Sequence, residues 1–422
     1  MEKKDILIIG GGGREHAIAY SLSRSQSVGK IYCAPGNAGI SEIAECVNIA
    51  ATDINGVLNF LNEHSEIYMT VVAPDDPLAA GMVDSIEKAG RRAFGPRANA
   101  AKLEASKSFA KYIMNKYNIP TAAYETFTEY EAAAAYLEKC SYPTVLKADG
   151  LALGKGVLIC ENKAEALRGL KEIMLDKAFG TAGNTVVIED FLTGFECSAL
   201  AFTDGVTVLP MTTSQDHKRA LDGDKGLNTG GMGTFSPSYK VNADMEKRIY
   251  SEILKPTIDG LTAEGIEFKG VLYAGLMIDG DDIKVLEFNA RFGDPETQVI
   301  LPRLSTDLLE IFDACIDGNL GKVDIKWTGN AAVCVIAASG GYPEAYEKGK
   351  PIMIEKLDES VTVFHSGTKF AGDTLVTNGG RVIGVTALAP TLSGARDLAY
   401  KNIKKVSFDK MHYRTDILGE LK

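Results

Sequence analysis

Residues 285–292 alternate with a period of two. One parity comprises Leu286, Phe288, Ala290 and Phe292, and the other comprises Val285, Glu287, Asn289 and Arg291. Successive side chains of a β-strand point to opposite faces, so residues two apart stand side by side. The segment therefore predicts a strand with an apolar face toward a core and a carboxylate, an amide and a guanidinium on the other face.

The polar face of this strand has the chemistry of a clamp for a metal ion and a phosphate. Mg²⁺ takes hard oxygen ligands and is usually held by one or two protein groups plus substrate phosphates. A guanidinium grips phosphate oxygens with its fork of N–H donors. Glu287 and Asn289 are thus candidate metal ligands, and Arg291 is a candidate phosphate ligand. The alternative is an ordinary half-exposed strand whose polar face is solvated.

The size and charge of the chain limit the kind of protein it can be. With 422 residues we expect two to four domains. The net charge of −11 argues against nucleic acid or an anionic membrane as a partner. No apolar run approaches the roughly 18 residues that span a bilayer, and the apolar run near the start is too short for a signal peptide. Seven scattered cysteines without a Cys-x-x-Cys pair indicate reduced thiols in a cytoplasmic protein.

The first 90 residues alternate between predicted strands and helices, which favours an open parallel α/β sheet. The turn Gly10–Gly13 opens a helix and offers backbone N–H groups to a phosphate. A dinucleotide fits poorly, because Glu15 or His16 stands where the third glycine is needed and no acidic residue follows the second strand. A smaller phosphate ligand suits Arg14. The loop with Asp75 lies at the same sheet edge, either as a ligand contact or as a helix cap.

A small α+β unit with a glycine-rich hairpin is predicted within residues 121–190. The loop resembles a P-loop, but Gly150 to Gly154 encloses three residues instead of four, and Gly156 stands where Ser or Thr would bind Mg²⁺. Because strands flank the loop on both sides, we expect a lid that closes over phosphates, with Lys147 before it and Lys155 within it. A flexible turn with solvated lysines is the alternative.

Three further segments carry polar groups or define the tail. A short apolar hinge around Leu192, flanked by Glu189 and Glu196, suits an adenine ring and its ribose. Residues 214–234 are predicted to be loop-like, and their Thr-Gly-Gly run lets backbone amides converge on an anion. From residue 326 onward, strands and one helix predict a mainly antiparallel tail.

Together these segments resemble the ATP-grasp superfamily and, within it, the glycinamide ribonucleotide synthetase family. The resemblance covers essentially the whole chain. The motifs that carry it are Gly-Gly-Arg-Glu-His-Ala at 12–17, Ala-Pro-Gly-Asn-Ala-Gly at 34–39, Lys-Ala-Asp-Gly-Leu at 147–151, Gly-Lys-Gly-Val at 154–157, Ser-Gln-Asp-His-Lys-Arg at 214–219, Asn-Thr-Gly-Gly-Met-Gly at 228–233 and Arg-Phe-Gly-Asp-Pro-Glu-Thr-Gln at 291–298.

The resemblance implies a ligase of purine biosynthesis, and we expect it to be a monomer in the cytoplasm. Such an enzyme joins glycine to 5-phosphoribosylamine with ATP and Mg²⁺ or Mn²⁺, through a glycyl phosphate, giving glycinamide ribonucleotide, ADP and phosphate. It also implies an N-terminal α/β substrate domain (1–120), a lid (121–190), a catalytic ATP-grasp domain (191–325) and a C-terminal domain (326–422).

The resemblance also implies roles for individual residues. Those for ATP are Lys107, Lys147, Asp149, Gly150, Gly154, Lys155, Gly156, Glu189, Leu192 and Glu196. Those for glycine and phosphoribosylamine are Gly12, Gly13, Arg14, Asp75, Asp216, Lys218, Thr229, Gly230 and Gly231. Glu287 and Asn289 are implied as metal ligands, and Arg291 and Lys147 as catalytic residues.

Two features depart from the usual pattern of the family, and two other classes of protein are alternatives to it. Asp75 stands where the family usually has glutamate, and the strand before the metal strand carries no carboxylate for a second metal ion. One rival is another ATP-grasp enzyme, such as a bicarbonate-using carboxylase or a different purine-pathway ligase. The other is a nucleotide-sensing or NAD(P)-binding protein without ligase activity.

Overall fold

The computed structural model describes residues 3–151 and 156–421. The first region is built from five strands and five helices. They are β1 (Lys4–Gly10), α1 (Gly13–Ser23), β2 (Val28–Pro35), β3 (Glu45–Cys46), α2 (Ile54–Glu63), β4 (Ile67–Val72), α3 (Asp75–Ala79), α4 (Met82–Lys88), β5 (Ala93–Phe94) and α5 (Ala98–Ala105). All strand pairs are parallel, in the order β3-β2-β1-β4-β5. The predicted open parallel sheet is confirmed.

The sequence explains this sheet. The four apolar residues from Ile6 to Ile9 are fully buried, as expected for a central parallel strand that is covered on both faces. The segment after residue 74 forms two helices, α3 and α4, because Gly81 between them adopts a φ of +83°.

The second region is a four-stranded antiparallel sheet with helices. Its elements are α6 (Lys107–Lys116), β6 (Tyr124–Phe127), α7 (Tyr130–Leu137), β7 (Thr144–Ala148), β8 (Val157–Cys160), α8 (Lys163–Met174) and β9 (Val186–Asp190). The strand order is β6-β9-β7-β8. Helices α7 and α8 bury their apolar faces against this sheet. Strands β7 and β8 pair as the predicted hairpin, and we call this sheet the lid sheet.

The third region contains the strand that carries Glu287 and Asn289. Its elements are β10 (Phe195–Asp204), β11 (Val208–Pro210), β12 (Gln215–Asp216), β13 (Arg219–Leu221), β14 (Lys225–Asn228), β15 (Gly233–Ser236), α9 (Ala243–Arg248), α10 (Lys255–Ala263), β16 (Lys269–Asp279), β17 (Asp282–Asn289), α11 (Thr297–Ile300) and α12 (Leu308–Asp317). A π-helical segment, Ile249–Leu254, joins α9 to α10. The antiparallel sheet β11-β10-β16-β17 forms the floor of this region. The predicted loop at 214–234 is wrong, since it contains β12 to β15.

A β-bulge corrects the predicted alternation in β17. Gly275 pairs with Glu287 but Leu276 pairs with Val285, so Leu286 is the extra residue. The bulge shifts the parity of the strand. Val285, predicted on the polar face, is therefore fully buried in the core, while Leu286, predicted in the core, lines a cavity. The predicted faces hold from Glu287 to Asn289, but the strand ends there, so Arg291 lies just beyond it and not on it as predicted.

The last region is mainly antiparallel, as predicted. Its elements are β18 (Ala331–Ala338), β19 (Met353–Ile354), β20 (Val361–His365), β21 (Thr368–Ala371), β22 (Thr374–Thr377), β23 (Arg381–Ala389), α13 (Leu392–Ile403) and β24 (Val406–Ser407). Its main sheet has the order β12-β15-β18-β23-β20, so it includes two strands from the third region. This pairing ties the segment around Asp216 to the C-terminal part of the chain. Across residues 3–151 and 156–421, no helix is long and apolar enough to cross a membrane.

Candidate active site

A cavity of about 1250 Å³ lies where these regions meet. Its walls come from α6, the lid sheet, β12 and β17, together with loops of the first and last regions. The predicted site residues that line it are Arg14, Asp75, Lys107, Lys147, Gly150, Gly156, Glu189, Leu192, Glu196, Asp216, Lys218, Thr229, Gly230, Glu287, Asn289 and Arg291. Most of the predicted set thus reaches one cavity from distant parts of the chain.

One part of the cavity wall holds three lysines, two of which pair with one carboxylate, and we call Lys107, Lys111, Lys147 and Glu189 the lysine end. The Glu189 carboxylate lies between two ammonium groups, 2.9 Å from Lys147 Nζ and 3.0 Å from Lys111 Nζ. Lys147 also donates to the carbonyl of Leu286 at 2.9 Å. Because the bulge removes Leu286 from regular pairing, its carbonyl is available to this lysine.

Lys107 stands at the N-terminus of α6, where the Ser106 hydroxyl caps the helix by accepting from the Phe109 N–H. Its ammonium donates to the carbonyl of Gly150 at 2.9 Å. Burial, with the charge of Lys147, lowers the pKa of Lys107 despite the nearby carboxylate of Glu287. The Lys107 ammonium group is thus fixed at the start of the lid loop, on the Gly150 carbonyl.

Only some of the predicted residues of the lid loop line the cavity. The Asp149 carboxylate accepts from the backbone N–H of Ser108 at 3.1 Å, so it holds the start of α6 and is not among the residues that line the cavity. Gly150 and Gly156 do line it. The predicted ligands Gly154 and Lys155 lie outside the described residues.

The hinge after β9 borders the cavity. The Glu189 side chain, at the end of β9, pairs with two lysines. Phe191 and Leu192 line the cavity as an apolar surface, consistent with a seat for an aromatic base. Glu196 remains at the cavity, where its carboxylate lies 2.7 Å from Lys218 Nζ.

Strand β17 places Glu287 and Asn289 on the face toward the cavity. Burial raises the pKa of Glu287, but the charges of Lys218 and Lys147 outweigh it and hold the pKa below its usual range. A carboxylate and an amide oxygen at adjacent positions fit a hard cation that also takes phosphate oxygens. Among the described residues, no group of three or more His, Cys, Asp or Glu side chains is placed to hold a metal by itself. The donor set suits Mg²⁺ or Mn²⁺ bound together with a nucleotide.

The part of the cavity wall around residues 289–294 holds arginines that each pair with a carboxylate, and we call this set the arginine end. Its pairs are Arg14 with Glu15 at 2.6 Å, Arg291 with Glu104 at 2.7 Å and Arg381 with Asp294 at 3.1 Å. Arg291 also donates to Asn289 Oδ1 at 3.0 Å, which links this end to β17. Burial opposes the charge of Asp294, but Arg381 and Arg14 hold the pKa of this carboxyl below its usual range.

The glycine-rich loop of residues 229–231 is held by side chains from the last region. Tyr342 presents its hydroxyl oxygen to the N–H of Gly230 at 3.1 Å, and Arg381 donates to the Gly230 carbonyl at 2.5 Å. The Thr229 hydroxyl accepts from the N–H of Gly231 at 3.0 Å. Thr229 and Gly230 line the cavity, whereas Gly231 does not.

The turn before α1 supports Arg14 more than it lines the cavity. The N–H of Gly12 donates to the Glu15 carboxylate at 2.6 Å, which is the same side chain that holds Arg14. A side chain at position 13 would meet Gln298 Nε2 at 2.5 Å, so glycine there permits close packing against α11. Gly12 and Gly13 are not among the lining residues.

Asp216 lies in a part of the cavity wall that contains other carboxyl groups, among them Glu296 and Glu196. Burial raises its pKa to about 8, partly opposed by the Lys218 charge and reinforced by Glu296. The Glu296 carboxylate is itself buried and accepts from the hydroxyls of Ser198 and Tyr273, both at 3.0 Å. This wall suits a ligand group that carries a positive charge or donates hydrogen bonds.

Sequence reasoning missed several of these residues. Lys111 follows Lys107 by four positions, a spacing that places both on one helix face and could have signalled its role. Glu104 lies in α5 and Arg381 in β23, and both are far from Arg291 in the sequence. Glu296 belongs to the motif at 291–298 but had no predicted role. For Arg381 we find no local signal, because only the fold brings it to the cavity.

The fold and the cavity define the class. The solved biotin carboxylase domain of a 2-oxoglutarate carboxylase from Hydrogenobacter thermophilus superposes with a TM-score of 0.76 at 14% identity, over 98% of this chain and 92% of that one. At this identity the match concerns the fold alone. The ATP-grasp (A) domain model of phosphoribosylglycinamide synthetase matches residues 105–297, which include both sheets around the lysine end. The chain is an ATP-grasp enzyme.

Further comparisons give the family. The N and C domain models of phosphoribosylglycinamide synthetase match residues 4–104 and 332–419. A phosphoribosylamine–glycine ligase from Caldanaerobacter subterraneus is 49% identical, with 98% of this chain and 99% of the relative covered. The crystal structure of such a ligase from Thermotoga maritima has a TM-score of 0.85 at 35% identity, over 98% of this chain and 100% of that one. The chain belongs to the phosphoribosylglycinamide synthetase family.

Proposed function

We propose that this chain ligates glycine to 5-phospho-D-ribosylamine with ATP, giving glycinamide ribonucleotide, ADP and phosphate. Family membership supports the reaction, since all three domain models match and the relatives carry this activity in their names. The observation that carries the proposal is one cavity in which Glu287 and Asn289 stand between the lysine end and the arginine end.

In the first step, a carboxylate oxygen of glycine attacks the terminal phosphorus of ATP. An oxygen–phosphorus bond forms, the bond to the bridging oxygen breaks, and ADP leaves. Lys107 and Lys147 hold the nucleotide phosphates, and Arg291 faces the transferring group with a fork fixed by Glu104. Such a transfer asks mainly for positioning and for neutralisation of charge.

In the second step, the amine of phosphoribosylamine attacks the carbonyl carbon of glycyl phosphate. The carbon–nitrogen bond forms, the bond to the phosphate oxygen breaks, phosphate leaves and the nitrogen loses a proton. Arg14, Thr229 and Gly230 line the part of the cavity that suits the sugar phosphate, and Asp216 suits an amino group.

Glu287 and Asn289 are the residues that would hold Mg²⁺ or Mn²⁺ beside the nucleotide. When bound, such an ion neutralises phosphate charge and orients the terminal phosphoryl group. A monomeric state and a cytoplasmic location complete the proposal. The seven free cysteines support the reducing environment of the cytoplasm. The four-domain division at residues 120, 190 and 325 stays a prediction.

The test is phosphate release by the purified chain with ATP and Mg²⁺, measured with each substrate omitted in turn. We expect release only when glycine and phosphoribosylamine are both present, with glycinamide ribonucleotide detected by mass. Bicarbonate replaces glycine in a parallel reaction, because the chain shares its fold with biotin carboxylases. Release that depends on bicarbonate, or that needs neither substrate, would contradict the proposal.

A further inference from the structure

Lys111 is a buried charged residue for which neither the sequence motifs nor the proposed reaction has a role. Its side chain is only 2% exposed, although it borders the cavity. A buried ammonium group is costly unless it is paired and hydrogen-bonded. The contacts of the Lys111 ammonium group therefore show how its buried charge is stabilised.

The ammonium group of Lys111 makes two polar contacts in different directions. It forms an ion pair with Glu189 at 3.0 Å, and it donates to the Thr121 hydroxyl at 2.8 Å. The Tyr124 ring centroid lies 5.1 Å from the same nitrogen, within range of a cation–π contact. Glu189 and Tyr124 belong to the lid sheet, and Thr121 lies just before its first strand β6.

The ion pair matters because Glu189 also binds Lys147. Two ammonium groups and one carboxylate leave one excess positive charge at this point of the cavity. Without Lys111, the carboxylate would be left to Lys147 alone, and the remaining pair would be electrically neutral. A polyphosphate is attracted by the excess charge, and the attraction is strong where water is excluded.

The second contact reaches the strand that carries the candidate metal ligands. The Thr121 hydroxyl, which accepts from Lys111, donates in turn to the carbonyl of Val285 at 2.7 Å. Val285 immediately precedes the bulged residue Leu286, whose carbonyl accepts from Lys147. Lys111 and Lys147 thus hold adjacent carbonyls of β17, one of them through Thr121.

We infer that Lys111 is a positioning residue for nucleotide phosphates: it balances the charge of Glu189, so that Lys147 stays available to the phosphates, and it fixes β17 through Thr121. The inference rests on the proposed function only in taking ATP as the ligand. It predicts that Lys111 supports phosphate binding without itself contacting a phosphate, and that the adenosine part of the ligand is indifferent to it.

The experiment compares Lys111→Met with a control on the same helix, Lys116→Met, whose side chain is exposed and pairs with Glu264. Calorimetry at neutral pH measures binding of MgATP and of adenosine to each full-length variant without glycine or phosphoribosylamine. For Lys111→Met we expect roughly tenfold or more weaker MgATP binding and adenosine binding within about twofold of wild type. The control keeps both affinities.

Two further variants separate charge from shape. Lys111→Arg keeps the charge and is expected to restore most of the MgATP affinity, whereas Lys111→Gln keeps a donor without the charge and stays weak. If thermal unfolding shows that Lys111→Met does not fold, the comparison of Lys111→Arg with Lys111→Gln tests the inference instead. In steady-state assays, the KM for ATP is expected to rise more than kcat falls.

Two results would overturn the inference. One is a folded Lys111→Met or Lys111→Gln variant that binds MgATP as wild type does. The other is an equal loss of MgATP and adenosine affinity, which would assign Lys111 to the general shape of the nucleotide site. Because binding is measured without the other substrates, a wild-type chain that releases no phosphate would contradict the proposed function and leave this result intact.

Discussion

The lysine end and the arginine end of the cavity stabilise their buried charges in different ways. At the lysine end, Lys111 and Lys147 share the single carboxylate of Glu189, so positive charge is left over. At the arginine end, each guanidinium has a carboxylate of its own, so charge is balanced. Excess charge on flexible stems suits a polyphosphate, while balanced and rigid forks suit the orientation of a smaller substrate. The comparison assigns attraction to one end and alignment to the other.

The largest effect is expected where the two ends meet, at Glu287. Glu287→Gln keeps the shape of the side chain but removes the charge that a metal ion needs, so we expect kcat to fall by roughly 100-fold or more with unchanged thermal stability. The matched control is Asp282→Asn, an exposed position on the same strand, for which we expect unchanged turnover. Near-normal turnover of Glu287→Gln would remove the metal role of this residue.

The lysine end is tested by Lys147→Ala. The substitution removes the ammonium that lies between Glu189 and the Leu286 carbonyl, so we expect MgATP to bind roughly tenfold to 100-fold more weakly. Lys163→Ala, an exposed lysine at the start of α8 that pairs with Glu138, serves as the lid-region control. Unchanged nucleotide affinity in Lys147→Ala would erase the difference between the two ends.

The arginine end is tested by Arg381→Lys, which keeps the charge and loses the fork. Arg381 binds the Asp294 carboxylate, the Asp294 carbonyl and the Gly230 carbonyl together, and one ammonium cannot reproduce that geometry. We expect the KM for phosphoribosylamine to rise roughly tenfold, with MgATP affinity unchanged in the same variant. A change confined to MgATP affinity would show that the two ends are not separate.

The smallest effect concerns pH. Burial lowers the pKa of Lys111 to about 8, with Lys147 adding to the shift and Glu189 opposing it. The ring of Tyr124 also faces this ammonium. As pH rises through about 8 the lysine loses its proton, so the excess charge disappears and MgATP affinity is expected to fall by a few-fold. Lys111→Arg stays charged, and its affinity should not show this step; a step of equal size in that variant would contradict the assignment.

The sequence predicted those parts of the fold that depend on local periodicity. The apolar run of β1 and the hairpin around the lid loop each carry their own pattern, and both are confirmed. The strands within 214–236 are only two to four residues long, and two of them exist because they pair within a sheet of the last region. Such pairing has no local signal.

The candidate site shows the same limit. Glu287 and Asn289 lie on β17, Arg291 follows its end, and all three line one cavity. The bulge at Leu286 depends on the register with β16, which local alternation does not contain. The alternation therefore predicted the wrong face of the strand for Val285 and Leu286. Arg381 reaches the site from the last region, and no role was predicted for Lys111 from the sequence. Which of these residues bind substrate stays a prediction.

A crystal structure of this chain with Mg²⁺, glycine and a non-hydrolysable ATP analogue tests the central claim most directly. We expect the terminal phosphates beside Lys107 and Lys147, the metal ion on Glu287 and Asn289, and glycine on the side of Arg291. Phosphates bound instead among Arg14, Arg291 and Arg381, with the lysines unoccupied, would contradict the division of the cavity into two ends.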